Sequence, residues 1–532
     1  MATTDDATPR KSTEGAHGAA VSDDSTDLAK FGYRQELSRS LGGFSAFAAG
    51  FSLISVLTGV YQLFGFGFAF AGPTVWWTWL GVLVGMFLVA LCFAELAGQF
   101  PLAGSVYQWS KQISSQFISC MSGWLIIALS IVNVAAVAVG WQVILPQVWS
   151  GFQMVGGESD IGSYLTPGGA QNAIILGIMM VVLSTVINMS GVRIMARVNN
   201  IGVACELIGV VALIILLAFH VQRGPAVVTE SLGAGQDHSW GLVGALLIGG
   251  LMSFYDLQGY DVAATLAEET HDPRRKAPPA ILRALGVAGV MGLLVIGLTL
   301  MAVEDLHDEN IGLLGLPYVV KQTFGDTIGD LLLIDAAISI FVCALAIQTW
   351  GIRMLFSMGR DNRLPFGAQI AKVHGRHKVP LVPAAIIGVA SIAVLVLNLG
   401  NTSAFVALTS VTIVGFYSAY LCVVGPLLVR RFKGEWPRRN HGDYFSLGRW
   451  GKPVNVAAVL FLLFGCINAA WPRPEVYNAV GDPHWYYRWI AFLFMGLVIG
   501  VGSAYYFAAH KGRSREILAE HSSETLDRHR SE

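Results

Sequence analysis

Two aspartates, a glutamine and a glycine interrupt one of the most apolar stretches of this chain. The run Ser253-Phe254-Tyr255-Asp256-Leu257-Gln258-Gly259-Tyr260-Asp261 lies inside an apolar segment from about Leu242 to Leu266. An ionisable side chain at bilayer depth costs at least ~3 kcal/mol on insertion scales, so it normally faces a cavity and has a task. A helix broken at that depth frees backbone groups, which is tolerable only where they line a cavity or meet a ligand. A second polar interruption, Ser55-Val56-Leu57-Thr58-Gly59, divides an earlier apolar segment in the same relative position. A further carboxylate, Glu206, stands in Val203-Ala204-Cys205-Glu206-Leu207. Carboxylates, hydroxyls and broken helix ends suit the binding of a small polar solute within a membrane.

The rest of the chain must hold these groups in lipid. Its 532 residues are 54% hydrophobic and 13% charged; soluble domains carry roughly 25% charged residues. Mean hydropathy is +0.58. About twelve segments are long and apolar enough to span a bilayer: 43–70, 75–97, 119–145, 171–190, 199–219, 241–266, 280–303, 329–357, 381–399, 403–429, 453–472 and 486–509. No strand-like alternation is long enough for a barrel. With the N-terminus cytoplasmic, only Arg223, Lys321, Arg473 and Arg488 of the 34 Lys and Arg fall on the outer side. By the positive-inside rule both termini are then cytoplasmic, and the basic runs can also hold lipid headgroups. The polar ends, about 1–40 and 511–532, read as cytoplasmic tails, and the first lacks the apolar core of a secretory signal. The net charge of −1 gives no reason to expect nucleic acid. The six cysteines fall in apolar segments and suit neither a disulfide framework nor a zinc site.

Interrupted segments in matching places are a pointer to a midplane site between inverted repeats. Spans one to five (about 41–220) and six to ten (about 241–430) would be those repeats, followed by two extra helices (about 453–509). The half-helix starting near Gly59 would offer free N–H groups to a carboxylate. Those ending near Ser55 and Ser253 would offer a negative end to an ammonium. Thr58-Gly59 could also be ordinary packing through small residues.

Several motifs together resemble the amino acid–polyamine–organocation permeases. They are Gly259-Tyr260-Asp261 with Leu266-Ala267-Glu268-Glu269-Thr270 and Asp272-Pro273-Arg274-Arg275-Lys276-Ala277-Pro278, Ala94-Glu95-Leu96-Ala97 with Phe100 to Tyr107, and Arg353 to Asp361 running to Leu364-Pro365. Ser55 to Tyr61 with Gly72-Pro73-Thr74-Val75-Trp76-Trp77 is most similar to the amino acid/choline transporter branch. The resemblance covers about 35–510. It implies an all-helical LeuT-type five-plus-five fold and alternating access, driven by a cation gradient or by exchange. It also implies a substrate site at Ser55, Thr58, Gly59, Phe254, Tyr255, Asp256, Gln258 and Gly259, with Tyr255 as an aromatic lid or a packing residue.

The chain departs from that pattern in three places. Asp256 stands where a small or hydroxyl residue is expected; it could pair with a cationic substrate group, or cap the inner half-helix. Glu206 stands where related permeases carry a lysine. Desolvation favours a carboxyl group's neutral form, which suits a proton carrier, although the residue could instead ligate sodium or bond to the first helix. Gln258, in Leu257-Gln258, can donate and accept. Asp261 could act in an inner gate, and Glu268 and Glu269 could pair with Arg274 and Arg275 near them in sequence.

No phosphate-binding loop precedes a helix and no His-Glu-x-x-His run occurs. His374 and His377 read as solvent-facing. The expectation is therefore a multi-pass plasma-membrane secondary transporter, not an enzyme. It would move an amino acid, GABA, a polyamine or a choline-like amine, and require no cofactor beyond a coupling ion, H⁺ before Na⁺. An exchanger, a non-transporting nutrient receptor on the same scaffold, and an enzyme using Asp256, Asp261 and Glu206 are the alternatives. Oligomeric state is open.

Overall fold

The computed structural model describes residues 42–509 apart from 237, 239, 374–378, 400–403, 438–443 and 478–484. Both expected tails, His374 and His377 lie outside the described residues. Among the described residues the chain is all helix, without strands. Among the described residues nine helical runs are long and apolar enough to cross a membrane, and Gly241–Asp256 and Leu381–Leu397 are shorter apolar helices.

The first run holds α1 (Gly43–Ile54), α2 (Val56–Ala71) and α3 (Val75–Gln99). Gly72, at φ 56°, and Pro73 turn the chain between α2 and α3. There follow α4 (Ser105–Ile113), α5 (Gln116–Val148), α6 (Pro167–Met189) and α7 (Val192–Phe219). The second interrupted region holds α8 (Gly241–Gly249) and α9 (Leu251–Asp256). The remaining long helices are α10 (Pro273–Ala302), α11 (Glu309–Arg360), α12 (Leu381–Leu397), α13 (Ala404–Phe432), α14 (Gly451–Ala470) and α15 (Ile490–Ala509).

Local chemistry starts several of these helices. Ser115 caps α5 by accepting from the Ile118 N–H, and Thr166 caps α6 with Pro167 at its first position. Asp308 caps α11 by accepting from the Asn310 N–H at 2.9 Å. Such caps each stabilise a helix by about 1 kcal/mol. Two boundaries differ from the sequence expectation. The segment expected at 329–357 begins at Glu309 and bends at Gly315 and Gly325, both with positive φ. Charges at Lys321, Asp326 and Asp330 hide that arm from any hydropathy argument. Helix α4 falls between the expected spans 75–97 and 119–145; it is too short and polar to span, yet it buries Tyr107 and Trp109.

Helix α11 packs on α2 and α5, α10 on α1 and α3, and α13 on α5 and α14. These contacts enclose α1, α2 and α9. The outward faces are apolar instead of polar: Ile208, Val389, Leu460 and Leu497 are all exposed. Such faces suit lipid, where satisfied helical backbones meet hydrocarbon without cost.

Candidate functional site

The first break is one residue long. Ser55 sits at φ 38°, ψ 84°, a left-handed conformation that is uncommon for a residue with a Cβ. Its N–H closes α1 on Phe51 O at 2.8 Å, and its carbonyl accepts from the Gly59 N–H at 3.1 Å. The expected interruption over 55–59 is therefore corrected: Thr58 and Gly59 are helical, in the first turn of α2. The second break is also shorter and later than expected. Ser253 to Asp256 are helical, and only the residues from Leu257 to Asp261 leave the helix. Gly259 makes that turn at φ 92°, where a Cβ would also strike Leu53.

The two breaks meet through Gly59 and Asp256. A Cβ on Gly59 would fall 1.5 Å from Asp256 Oδ1, so only glycine permits this contact. Thr58, Tyr255, Asp256 and Gln258 line one small cavity of about 10 Å³, together with Asn133 and Cys343. Tyr255 donates to Asn133 Oδ1 at 2.9 Å. Asp256 Oδ2 and both polar atoms of Gln258 are buried without a hydrogen-bond partner. Buried polar groups are nearly always paired, so three orphans around one cavity make it the candidate site.

The other expected residues have different surroundings. Phe254 packs on Tyr417 and Phe461, at centroid distances of 5.7 and 5.9 Å, and does not line this cavity. Ser55 turns away to Glu206, donating from Oγ to Oε1 at 2.9 Å, and its Oγ also lies 2.5 Å from Thr58 Oγ1. The Leu57 N–H donates to the same Glu206 oxygen at 3.4 Å. The helix end expected to be free for a substrate carboxylate is thus partly occupied by a carboxylate of the chain itself. Glu206 is fully buried, and its Oε2 has no partner. Asp256 does not cap the inner segment: the Gly259 N–H donates to Tyr420 Oη at 3.0 Å.

Asp261 accepts from Tyr420 Oη at 2.6 Å and from Ser105 Oγ at 2.7 Å, tying the second break to α13 and α4. Below it, the pairing expected with Arg274 and Arg275 is replaced by another. Glu269 pairs with Arg353 at 2.7 Å, and Glu268 accepts a two-pronged contact from Arg360 at 3.1 Å. Both acids are buried, so these are not weak surface pairs. Asp361 accepts from Lys111 Nζ and Tyr107 Oη, each at 2.7 Å. Burial alone would raise the Asp361 carboxyl, but the Lys111 ammonium, Arg360 and the Tyr107 hydroxyl together outweigh that and hold it below the ordinary carboxylate range. Farther out, Glu95 binds Arg431, Trp436 Nε1 and the Leu447 N–H, pinning the segment after α13. At the opposite end is a vestibule lined by Phe66, Phe70, Tyr164, His307 and Asp308.

Arg353 and Arg360, seven residues apart on one helix face, offered a signal for these ion pairs in sequence. Asn133, Cys343 and Tyr420 offered none, because each looks like an ordinary core residue of its own helix.

The amino acid permease family model matches residues 41–498. The chain belongs to that family. It is 29% identical over 484 residues to the amino-acid permease BAT1 homolog of Oryza sativa, covering 86% of this chain and 88% of that protein. It is 27% identical to amino-acid permease BAT1 of Arabidopsis thaliana, covering 86% and 89%. It is 25% identical to the branched-chain amino acid permease BcaP of Bacillus subtilis, covering 87% and 93%. Members of this family are membrane transporters, not enzymes.

Proposed function

We propose that this permease moves an amino acid or organic amine across the plasma membrane by alternating access, in symport with protons. The observation that carries the reading is the set of orphaned groups of Asp256 and Gln258 around one cavity between two broken helices. A carboxylate enclosed there is costly unless a cation meets it. The substrate therefore bears an ammonium or related cationic group against Asp256, and Gln258 and Thr58 orient its polar remainder. Glu206 is the coupling group. Ionised, it accepts from Ser55 and Leu57 at the head of α2. Protonated, it becomes a weaker acceptor there, so proton occupancy is tied to the geometry of the first break.

In this reading the helices up to α7, and those from α8 to α13, form LeuT-type inverted repeats, with α14 and α15 as the extra pair. The Arg353–Glu269, Arg360–Glu268 and Lys111–Asp361 contacts form the closed cytoplasmic gate, and the vestibule opens outward. The Lys and Arg distribution supports cytoplasmic termini.

The test is binding and uptake with a labelled panel of amines and neutral and basic amino acids. Breaking a buried charged pair costs about 3–5 kcal/mol, so Asp256→Asn should weaken a cationic substrate by at least ~100-fold. Neutral analogues should lose far less. Equal losses for both classes would return a neutral amino acid to first place, the reading that the name of the Bacillus relative favours. Exchange without a proton gradient is the remaining alternative for the cycle.

A further inference from the structure

Asp335, on α11, is a further carboxylate at membrane depth, and nothing in the family motifs marks it. Its place follows from how α7 and α11 mesh. A Cβ on Gly202 would strike Val342, and one on Gly209 would fall 1.7 Å from Asp335 Oδ2. These two contacts fix an antiparallel register. Glu206 lies between the two glycines, three residues or about 4.5 Å along the axis from Gly209. Asp335 therefore sits about one helical turn from Glu206, towards the vestibule end. Its Oδ2 has no hydrogen-bond partner.

Asp335 is close enough for its charge to act on Glu206, and Glu206 is close enough to act on Asp256. The three acids thus form a line from α11, through α7, to the cavity. The titratable groups facing them are Tyr61 from α2, Tyr255 from α9 and Cys343 from α11. Helices α1, α6 and α12 contain no titratable acid or base, and the charged residues of α10 end at Arg283. Among the described residues, no Lys, Arg or His pairs with any of the three acids; the buried pairs are those of the cytoplasmic gate and of Glu95.

Three neighbouring ionised carboxylates, two of them buried and Asp335 half-buried, with no cation among them, would repel strongly. Protons relieve that repulsion without needing a multidentate cage. Among the described residues no three His, Cys, Asp or Glu side chains converge to hold a metal ion. We infer that Asp335 is a second proton-binding site, which receives the proton from the vestibule side and passes it to Glu206. This rests on the reading of Glu206 as the coupling group. In the balanced step, the Asp335 O–H gives its proton to the Glu206 carboxylate, directly or through one water, leaving Asp335 ionised and Glu206 neutral. Release of the proton to the cytoplasmic side then resets the pair.

The first experiment uses the wild-type protein. Dicyclohexylcarbodiimide, which reacts with protonated carboxyl groups from the apolar phase, is applied at pH 6 and pH 9, and the labelled residue is mapped by mass spectrometry. Label on Asp335 that declines at the higher pH is expected. Its absence at both pH values overturns the inference. The second compares Asp335→Asn and Glu206→Gln in proteoliposomes, using the panel member that wild type concentrates most. Asp335→Asn should lose proton-driven accumulation by at least ~10-fold, while counterflow at equal pH stays near wild type and uptake loses its pH dependence. If Glu206→Gln uncouples and Asp335→Asn does not, the relay is wrong but the coupling role of Glu206 stands. If Glu206→Gln remains coupled, the underlying reading is wrong. Uptake driven by sodium and indifferent to pH overturns both. Should Asp335→Asn fail to fold, the wild-type labelling decides alone.

Discussion

Gly59 leaves the space that Asp256 occupies, and this is the tightest constraint on the candidate site. Because a Cβ there would fall 1.5 Å from Asp256 Oδ1, Gly59→Ala must push the carboxylate out of its cavity or part α2 from α9. We expect at least ~10-fold weaker binding of a cationic panel member. Gly42→Ala, with nothing within 4 Å of its Cβ, is the control. Unchanged binding in Gly59→Ala would show that Asp256 need not stand where it does. Ser55 is the second special residue. Its left-handed backbone costs of order 1–3 kcal/mol, and the hydroxyl contact with Glu206 helps to hold it.

At the scale of elements, α11 does two jobs. Its middle lines the cavity at Cys343, and its C-terminal end holds Glu269 and Glu268 through Arg353 and Arg360, the proposed gate. Removing one member of a buried pair leaves the other charge uncompensated, which costs about 3–5 kcal/mol. Glu269→Gln should therefore shift the protein towards a cytoplasm-open state. A cysteine placed at buried Ala103 should then react faster with a membrane-impermeant maleimide in inside-out vesicles; equal rates would remove the gate role. The Lys111–Asp361 contact carries its own pH dependence. A carboxyl held below its ordinary range contributes stability above that range, and loses it only as pH falls through the lowered value. The same maleimide assay should thus show no loosening at this contact between pH 8 and pH 5 in wild type. Lys111→Met should bring loosening to higher pH. Loosening of wild type within that window would contradict the assignment.

For the whole molecule, apolar side chains cover the outward faces of α7, α12, α14 and α15 while charge gathers at one end. That asymmetry gives a topology prediction. Epitope tags at residue 1 and residue 532 should both be reached by antibody only after the plasma membrane is permeabilised. A tag beside Arg223 should be reached in intact cells. The opposite pattern would invert the proposed gate and vestibule.

The sequence by itself determined that the chain lives in lipid, that its spans are helical, and roughly where each lies. Hydrophobic length is a local property, and a bilayer permits few other solutions. It also showed Asp256, Gln258 and Glu206, because a polar residue stands out against an apolar background. The tertiary structure decided what those groups meet. Ser55 faces Glu206 across 151 positions, Tyr255 faces Asn133 across 122, and Gly259 meets Tyr420 across 161. It also replaced the neighbouring arginines expected beside Glu268 and Glu269 with Arg360 and Arg353 of α11. The physical reason is packing: which faces of two helices meet depends on rotation and register, fixed by small residues such as Gly59, Gly202 and Gly209 against bulky partners.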